Sequence, residues 1–188
     1  MGKPLKIHLP DAGNAGEEIT LIFDYSTTPD CTALQWLTPK QTCGGKYPYL
    51  FSQCWSVHAR SLFPCQDSPG IKAKYRARIS VADPLVALMS ANLQTDKTEN
   101  VNGMKVYYFI QHVPVSAYLV AIAAGALESR TIGPRSRVWS EPEMVEAAAN
   151  EFIETEDFIK TGEKLLGDYV WGQYDLLVGV LKMTFRIP

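Results

Sequence analysis

One stretch of strict two-residue alternation limits the folds open to this chain more than any other feature. Over residues 71–81, apolar or aromatic residues occupy every second position, and the positions between them are basic as far as residue 78: Lys72, Lys74, Arg76 and Arg78. Successive side chains of a strand point to opposite faces, so this pattern predicts a half-buried strand with a basic outer face. Such a row is also compatible with phosphate binding. Because no aromatic residue is interleaved on the basic face itself, a solvated sheet face is favoured.

Further strands are predicted on both sides of this one. Residues 18–25 alternate between apolar and polar side chains, and residues 105–112 are rich in valine, tyrosine, phenylalanine and isoleucine. Both patterns are typical of strands. Residues 85–90 follow an Asp-Pro turn signal and predict another strand, whereas the polar residues 95–103 predict a surface loop. The first part of the chain is therefore predicted to be an antiparallel β region.

Residues 117–127 are uniformly apolar, and their alanine content also allows a helix. Periodicity cannot separate a buried strand from a buried helix in so short a run. The flanking Pro114 and Gly133-Pro134 favour a strand that is buried on both faces.

The pattern changes at Ser140. The sequence Ser140-Glu141-Pro142-Glu143 matches a capping box with proline in the first turn, which predicts that a helix begins there. A second helical pattern follows and ends at Gly167, and residues 174–178 predict a short strand. The predicted fold class is α+β, mainly β.

Composition excludes several classes of function. The 188 residues carry a formal net charge of −2, which gives no global attraction to nucleic acid or to an anionic membrane. The longest apolar run is too short to cross a bilayer. Four cysteines without a Cys-x-x-Cys pair are typical of reduced thiols, and residues 1–6 lack the apolar core of a signal peptide. We therefore predict a cytoplasmic protein that binds neither nucleic acid nor membrane.

The residues by themselves predict no reaction. The three histidines, His8, His58 and His112, are far apart in the sequence, and no His-Glu-x-x-His pair is present. A catalytic zinc site needs three protein ligands around an open position, so we predict no metal ligand in this chain. A thiol–imidazole couple of Cys54 and His58 would lack an orienting third group. No catalytic residue is predicted.

Several segments nevertheless resemble one enzyme family. They are Ala-Leu-Gln-Trp-Leu-Thr-Pro (33–39), Pro-Tyr-Leu-Phe-Ser-Gln-Cys (48–54), Phe-Pro-Cys-Gln-Asp-Ser-Pro (63–69), Gly-Ala-Leu-Glu-Ser-Arg (125–130), Ile-Gly-Pro-Arg (132–135) and Tyr-Val-Trp-Gly-Gln-Tyr-Asp-Leu-Leu (169–177). In this order they resemble the zinc aminopeptidases that include leukotriene A(4) hydrolase and aminopeptidase B, and the former is the nearer of the two.

The resemblance implies an architecture and an activity. Residues 1–139 would form most of an antiparallel β saddle or sandwich, residues 140–178 would open a thermolysin-like zinc domain, and residues 179–188 would be a divergent tail. Members of the family use zinc to remove N-terminal residues from peptides, and one branch also opens a lipid epoxide. Peptide N-termini or a lipid epoxide are thus the expected substrates of the complete enzyme. The chain alone lacks the family's zinc-binding and exopeptidase motifs and is predicted to be inactive.

The resemblance also implies one substrate-binding segment. In the family, a Gln-x-Gln-Ala segment reaches into the cleft and its second glutamine helps to hold the substrate's free amino group. Here the segment is Gln53-Cys54-Trp55-Ser56. An indole offers one donor and no acceptor, so Trp55 cannot replace the amide contact, although it is suited to cation–π stacking on an ammonium group. Simple packing of Gln53 and Trp55 under the loop is the alternative.

Two functions therefore stay open: a catalytically incomplete part of an aminopeptidase, or a non-catalytic binding module derived from its β domain. We also expect association through exposed sheet edges and poor solubility.

Overall fold

A computed structural model describes residues 5–9 and 16–179 of the chain. This part forms three α-helices, α1 (Ala59–Leu62), α2 (Val145–Glu151) and α3 (Thr155–Leu166). It also forms eleven strands: β1 (Leu34–Leu37), β2 (Tyr49–Ser52), β3 (Lys72–Ala82), β4 (Val86–Met89), β5 (Asn92–Leu93), β6 (Glu99–Val101), β7 (Met104–Ser116), β8 (Ile122–Gly125), β9 (Glu128–Gly133), β10 (Ser136–Ser140) and β11 (Tyr174–Leu177). The predicted fold class, mainly β with some helix, is confirmed.

The strands belong to three sheets. The first sheet has the order β1-β2-β8-β4, and the second has the order β3-β7-β5 with β6 also pairing with β7. All neighbours in these two sheets are antiparallel. Ala87 from the first sheet and Tyr107 and Phe109 from the second form a buried cluster between them. This apolar contact joins the two sheets into one packed β region.

The predicted strand at residues 71–81 is confirmed as β3, the longest neighbour of β7. Its alternate residues Ala77, Ile79 and Val81 pack against the cluster between the sheets. The four basic residues between and before them are exposed, as expected for a solvated sheet face. The strands predicted at residues 85–90 and 105–112 are likewise confirmed by β4 and β7.

The third sheet has the order β11-β10-β9 and contains the chain on both sides of the predicted boundary between residues 139 and 140. β10 pairs with β9 antiparallel and with β11 parallel. Both longer helices lie in the connection from β10 to β11, and Ala148 of α2 packs with Ile132 and Val138 on the sheet. The domain boundary itself stays a prediction.

Two elements predicted from the sequence differ in the structure. Residues 18–25 do not form a strand, and Ile19, Leu21 and Tyr25 are half exposed. An extended segment becomes a strand only when a neighbour takes up its backbone hydrogen bonds, and no described strand pairs with this one. The loop predicted at residues 95–103 contains β6, because Glu99, Asn100 and Val101 pair with the start of β7.

The predicted helix start at Ser140 is also wrong. Ser140 is the last residue of β10, and its hydroxyl donates to the Val178 carbonyl at 2.9 Å. The helix begins instead at Val145, after a turn closed by the Glu141 carbonyl. Pairing with the neighbouring strands thus overrides a local capping pattern. The second helix and its end at Gly167 are confirmed by α3.

Residues 117–127 contain a strand rather than a helix, as expected, but β8 covers only Ile122–Gly125 and alternates between half-buried and buried residues instead of being buried on both faces. A short 3-10 turn, Ala117–Leu119, precedes β8, which lies between β2 and β4 in the first sheet. The strand predicted at residues 174–178 is confirmed by β11. Residues 180–188 of the predicted divergent tail lie outside the described part of the chain. In residues 5–9 and 16–179, no helix is long and apolar enough to cross a membrane.

Candidate functional site

The predicted substrate-binding segment, residues 53–56, follows β2 directly. The backbone amide of Gln53 donates to the Ala33 carbonyl at 2.8 Å. This bond continues the pairing of β2 with the chain just before β1. Cys54 points into a small core and is 2% exposed, whereas Gln53, Trp55 and Ser56 are exposed. The peptide bond between Trp55 and Ser56 is cis. The buried Cys54 side chain therefore anchors the segment, and the residues on either side of it point outward.

The structure brings Gln53 and Trp55 together through one hydrogen bond. The Gln53 side-chain oxygen accepts from the Trp55 backbone amide at 3.0 Å. An amide oxygen has two lone pairs, so one acceptor site is left for a ligand. The Trp55 side chain is 67% exposed and does not pack under the loop. Its ring is therefore accessible to a cation from solvent.

The core beneath the segment is built from small side chains. Cys31, Ala33, Cys54 and Ala59 are buried together, and Cys65 packs against them. Burial, with the added charge of Asp67, raises the pKa of the Cys54 thiol to about 11. Burial also raises the pKa of the Cys65 thiol. These thiols are protonated at neutral pH and act as small apolar groups, not as nucleophiles.

Hydrogen bonds around α1 hold this core in place. Arg60 pairs with Asp67 at 2.8 Å through its guanidinium and at 3.2 Å through its backbone amide. His58 pairs through its Nδ1 with the Thr32 hydroxyl at 2.8 Å. Because the imidazole nitrogen nearest the chain is committed to Thr32, the structure does not support the Cys54–His58 couple considered from the sequence.

A cavity of about 1000 Å³ lies between the first sheet and residues 169–179. Its polar lining includes Glu141, whose two carboxylate oxygens each accept from the Cys43 backbone amide at 3.0 Å. Burial, with the charge of Glu141, raises the pKa of Tyr49 to about 12. Ser52 lines the cavity, but Gln53 and Trp55 lie outside its lining. The sequence gives no signal for this space because its walls come from distant segments.

Several polar groups that line the cavity are engaged with the protein itself. Asp175 accepts from the Trp139 indole at 3.1 Å and from the Gln173 amide at 3.0 Å. The Gln111 side chain donates to the Ser90 carbonyl at 3.1 Å and accepts from the Val113 amide at 3.0 Å. These contacts stabilise the walls of the cavity.

The described residues do not fit the zinc site of the resembled family. A catalytic zinc ion needs three protein ligands around an open position. In residues 5–9 and 16–179, no three His, Cys, Asp or Glu side chains are grouped so that they could hold a metal ion.

Comparison with known proteins places the chain in a family. It is 47% identical to leukotriene A-4 hydrolase of Xenopus laevis over 178 residues, which are 94% of this chain and 29% of that protein. It is 48% identical to leucine aminopeptidase 2 of Candida glabrata over 88% of this chain and 25% of that protein. The solved structure of native yeast LTA4 hydrolase matches with a TM-score of 0.73 and 48% identity, over 82% of this chain and 23% of that one. The chain thus spans under a third of the length of the curated relatives it matches.

A more distant structure, an M1 zinc metallopeptidase from Deinococcus radiodurans, matches with a TM-score of 0.61 at 23% identity and shows the shared fold. The family model of the peptidase M1 N-terminal domain matches residues 1–119. The resemblance identified from the sequence is confirmed, and this chain belongs to the M1 peptidase N-terminal domain family.

Proposed function

We propose that this chain forms part of the substrate-cleft wall of a zinc aminopeptidase that removes N-terminal residues from peptides. In this proposal Gln53, Trp55 and Ser56 face the free amino group of the substrate. The observation that carries it is the geometry of the segment: three exposed side chains stand on either side of a buried cysteine. A loop anchored in this way keeps its contact groups in place without burying them.

Each side chain has a defined chemical role in the proposal. The free lone pair of the Gln53 oxygen accepts a hydrogen bond from the substrate ammonium. The exposed face of Trp55 attracts the same cation through its ring electrons. The Ser56 hydroxyl is able to donate to the first peptide carbonyl or accept from the ammonium. Zinc and the catalytic groups belong to other parts of the complete enzyme.

The proposal extends to the domain organisation, a second substrate class and the location of the protein. Residues 1–139 supply the β domain and residues 140–178 open the zinc domain. The name of the Xenopus laevis relative supports a lipid epoxide as a second substrate class. The four cysteines, all of which lie in the described part and are free thiols, support a location in the reducing cytoplasm.

A chimera tests the proposed role of Trp55. Residues 1–178 of this chain replace the matching part of the Xenopus laevis relative, and kcat/KM is measured with an aminoacyl chromophore. Trp55→Ala is expected to lower kcat/KM roughly twofold to thirtyfold, because it removes a cation–π contact worth about 0.5–2 kcal/mol. Trp55→Gln is expected to retain or exceed the starting value, because a charge-assisted hydrogen bond is worth about 1.5–3 kcal/mol.

Trp36→Ala is the matched control. Trp36 is 66% exposed, nearly the same as Trp55, but lies on β1 outside the segment. The proposal fails if the two alanine variants change kcat/KM equally. The chain alone is expected to release no chromophore with added zinc, and turnover there would contradict the placement of the catalytic groups elsewhere.

A second candidate, a non-catalytic binding module, is favoured by the open sheet edges. In the described part of the chain, β1 and β3 end their sheets without a neighbour on one side. An exposed edge is able to pair with another extended chain. Specific capture of a partner by the isolated chain, with no effect of Trp55→Ala, would favour this function over the first.

A further inference from the structure

The outer face of β3 carries a row of positive charge along an open sheet edge. Lys72, Lys74, Arg76 and Arg78 are all exposed. Alternate residues of a strand are about 6.8 Å apart, so the four charges extend over about 20 Å. Among the described residues, β3 hydrogen-bonds with β7 on one side and with no strand on the other. The strand thus combines an ordered charge pattern with backbone groups free to pair.

The neighbouring strand provides no carboxylate directly opposite this row. Arg78 lies across from Tyr108, Arg76 from Ile110 and Lys72 from Ser116, and the register with β7 shifts at Lys74, between Ala73 and Tyr75. None of the ion pairs within residues 5–9 and 16–179 involves the first three members of the row: Lys72, Lys74 and Arg76.

The fourth member is held by an aromatic ring. The Arg78 guanidinium lies 5.8 Å from the Tyr108 ring centroid and donates to its hydroxyl at 3.1 Å. That hydroxyl donates in turn to Glu99 at 2.6 Å. One end of the row is therefore fixed in direction, and the other three charges are open to solvent.

This row does not follow from the overall charge of the protein, whose formal net charge is −2. Like charges at every second position of one face repel each other, and a sheet face is normally stabilised by opposite charges on adjacent strands. A negatively charged strand placed at the free edge of β3 would supply that missing complement.

We propose that β3 docks an extended acidic segment of a partner protein, which adds as a further strand to the second sheet. Backbone hydrogen bonds with the free edge of β3 would hold the segment, and carboxylates at every second residue would lie beside Lys72, Lys74 and Arg76. The intervening residues of the segment would face the rim of the cluster between the sheets, beside Ala77 and Ile79. The partner is thus an extended chain of alternating acidic and small apolar or β-branched residues.

Single-stranded nucleic acid fits this face less well. Its binding relies on aromatic side chains on which bases stack. The aromatic residue of this face, Tyr108, is engaged on its ring by Arg78 and through its hydroxyl by Glu99. Charge alone would then have to hold the nucleic acid, because it cannot form the backbone hydrogen bonds that an added strand makes with a free sheet edge.

Fluorescence anisotropy with the full chain tests the proposal. The probe is a labelled peptide as long as β3 in which glutamate alternates with valine. A second peptide has the same composition with its glutamates in one block, and an oligothymidylate of matching length serves as the third probe. We expect the alternating peptide to bind at least about tenfold more tightly than either of the others, and to weaken as salt rises from about 0.1 M to 0.5 M.

The variant Lys74→Glu/Arg76→Glu is expected to weaken binding of the alternating peptide at least about tenfold. Lys40→Glu/Lys46→Glu is the matched control, because it makes the same charge change at exposed positions between β1 and β2. It is expected to change the affinity less than about twofold, since the charges lie away from the docking edge. Circular dichroism verifies that both variants keep the fold.

N-methylation of alternate backbone amides of the probe separates strand addition from simple charge attraction. Methylation of the amides that point towards β3 is expected to abolish binding of the peptide. Methylation of the alternate amides, which point away from β3, is expected to leave the affinity unchanged. Equal binding of the blocked peptide or of the oligothymidylate overturns the proposal, as does insensitivity to either register of methylation or failure of the alternating peptide to bind.

Discussion

The Cys54 thiol is placed where its chemistry is suppressed and its size is used. It is 2% exposed, lies in a core of small residues, and separates the outward-facing Gln53 from Trp55. A larger side chain would push the segment away from Ala33 and Ala59. The position therefore favours a small apolar group, and a protonated thiol meets that demand.

Alkylation measures this suppression. Burial raises the pKa of Cys54 from 9.0 to about 11, so the thiolate fraction near pH 8 falls about 100-fold. We expect iodoacetamide to modify Cys54 at least about 100-fold more slowly in the folded chain than in guanidinium, as followed by peptide mass spectrometry. Equal rates in the two states would contradict the burial of this thiol.

At the same scale, the sequence predicted part of the candidate site. Gln53, Trp55 and Ser56 were predictable because they occupy one continuous segment that resembles a family motif. The bond from the Trp55 amide to the Gln53 side chain was not predictable, since it depends on the loop conformation. The cavity beside Glu141 was not predictable either, because its lining is brought together only by the packing of distant strands.

The attachment of α3 depends on one arginine from the turn between β9 and β10. Arg135 makes two hydrogen bonds with Glu163, of 2.6 and 2.5 Å, and a third of 3.2 Å with Glu156. The backbone amide of Tyr169 donates to Glu163 at 3.1 Å. These contacts connect the first turn and the later part of the helix to the third sheet, so their loss would free the helix from it.

The pH dependence of stability reports on this attachment. Hydrogen bonding by Arg135, and then by the Tyr169 amide, lowers the pKa of Glu163 from 4.5 to about 2. A depressed folded-state pKa stabilises the fold above the unfolded value, and that contribution is lost as pH falls from about 4.5 towards 2. We expect Glu163→Gln to have a lower Tm than the parent at pH 7 and a weaker decline of Tm across this window. Thermal scans by circular dichroism at several pH values measure Tm for both proteins. Parallel curves of Tm against pH would contradict this expectation.

The central strand β7 carries the main apolar contact between the first two sheets. Phe109 is 2% exposed within that cluster. Phe109→Ala is expected to destabilise the fold by about 3–5 kcal/mol, because it removes a buried ring and leaves a cavity. His112→Ala, an exposed position on the same strand, is expected to change stability by less than about 0.5 kcal/mol. Urea denaturation measures the free energy of unfolding of both variants. Similar losses of stability in the two would contradict the placement of the core around Phe109.

Elements with strong internal periodicity were predictable, and elements defined by their neighbours were not. β3 was predicted to within one residue, because its apolar and basic residues alternate in the same way as its buried and exposed faces. The segment at residues 18–25 alternates equally well. No described strand lies beside it, so its backbone does not form the hydrogen bonds of a sheet. Ser140 pairs with Glu128 of β9 and so belongs to β10, whereas a helix-capping motif in the sequence carries no information about that neighbouring strand.

The whole molecule exposes a substantial amount of apolar surface. On α3, Phe158, Leu165 and Leu166 are 71%, 77% and 89% exposed. Their spacing of seven and eight residues places them on one side of the helix. Ile153, just before the helix, is 58% exposed and adds to this surface. An apolar face of this kind promotes association in water unless another surface covers it.

We therefore expect the isolated chain to self-associate in a concentration-dependent manner. Replacing Phe158, Leu165 and Leu166 by glutamine retains good helix formers and is expected to raise the concentration needed for association at least about tenfold. Light scattering coupled to size exclusion measures the change. Lys164→Gln, a polar position on the same helix, is the control and is expected to leave association unchanged. A monomeric parent chain at high concentration would contradict the expectation.

The parallel pairing of β10 with β11 sets an order of events during synthesis. Ser136 lies across from Tyr174 and Trp139 from Leu177, so β10 must wait for the whole helical connection before its second neighbour exists. At roughly 5–20 residues per second, that wait on the ribosome lasts a few seconds. During it, the third sheet is a two-stranded ribbon with one bare edge. Translation speed between codons 140 and 174 thus becomes a determinant of how much newly made chain escapes aggregation.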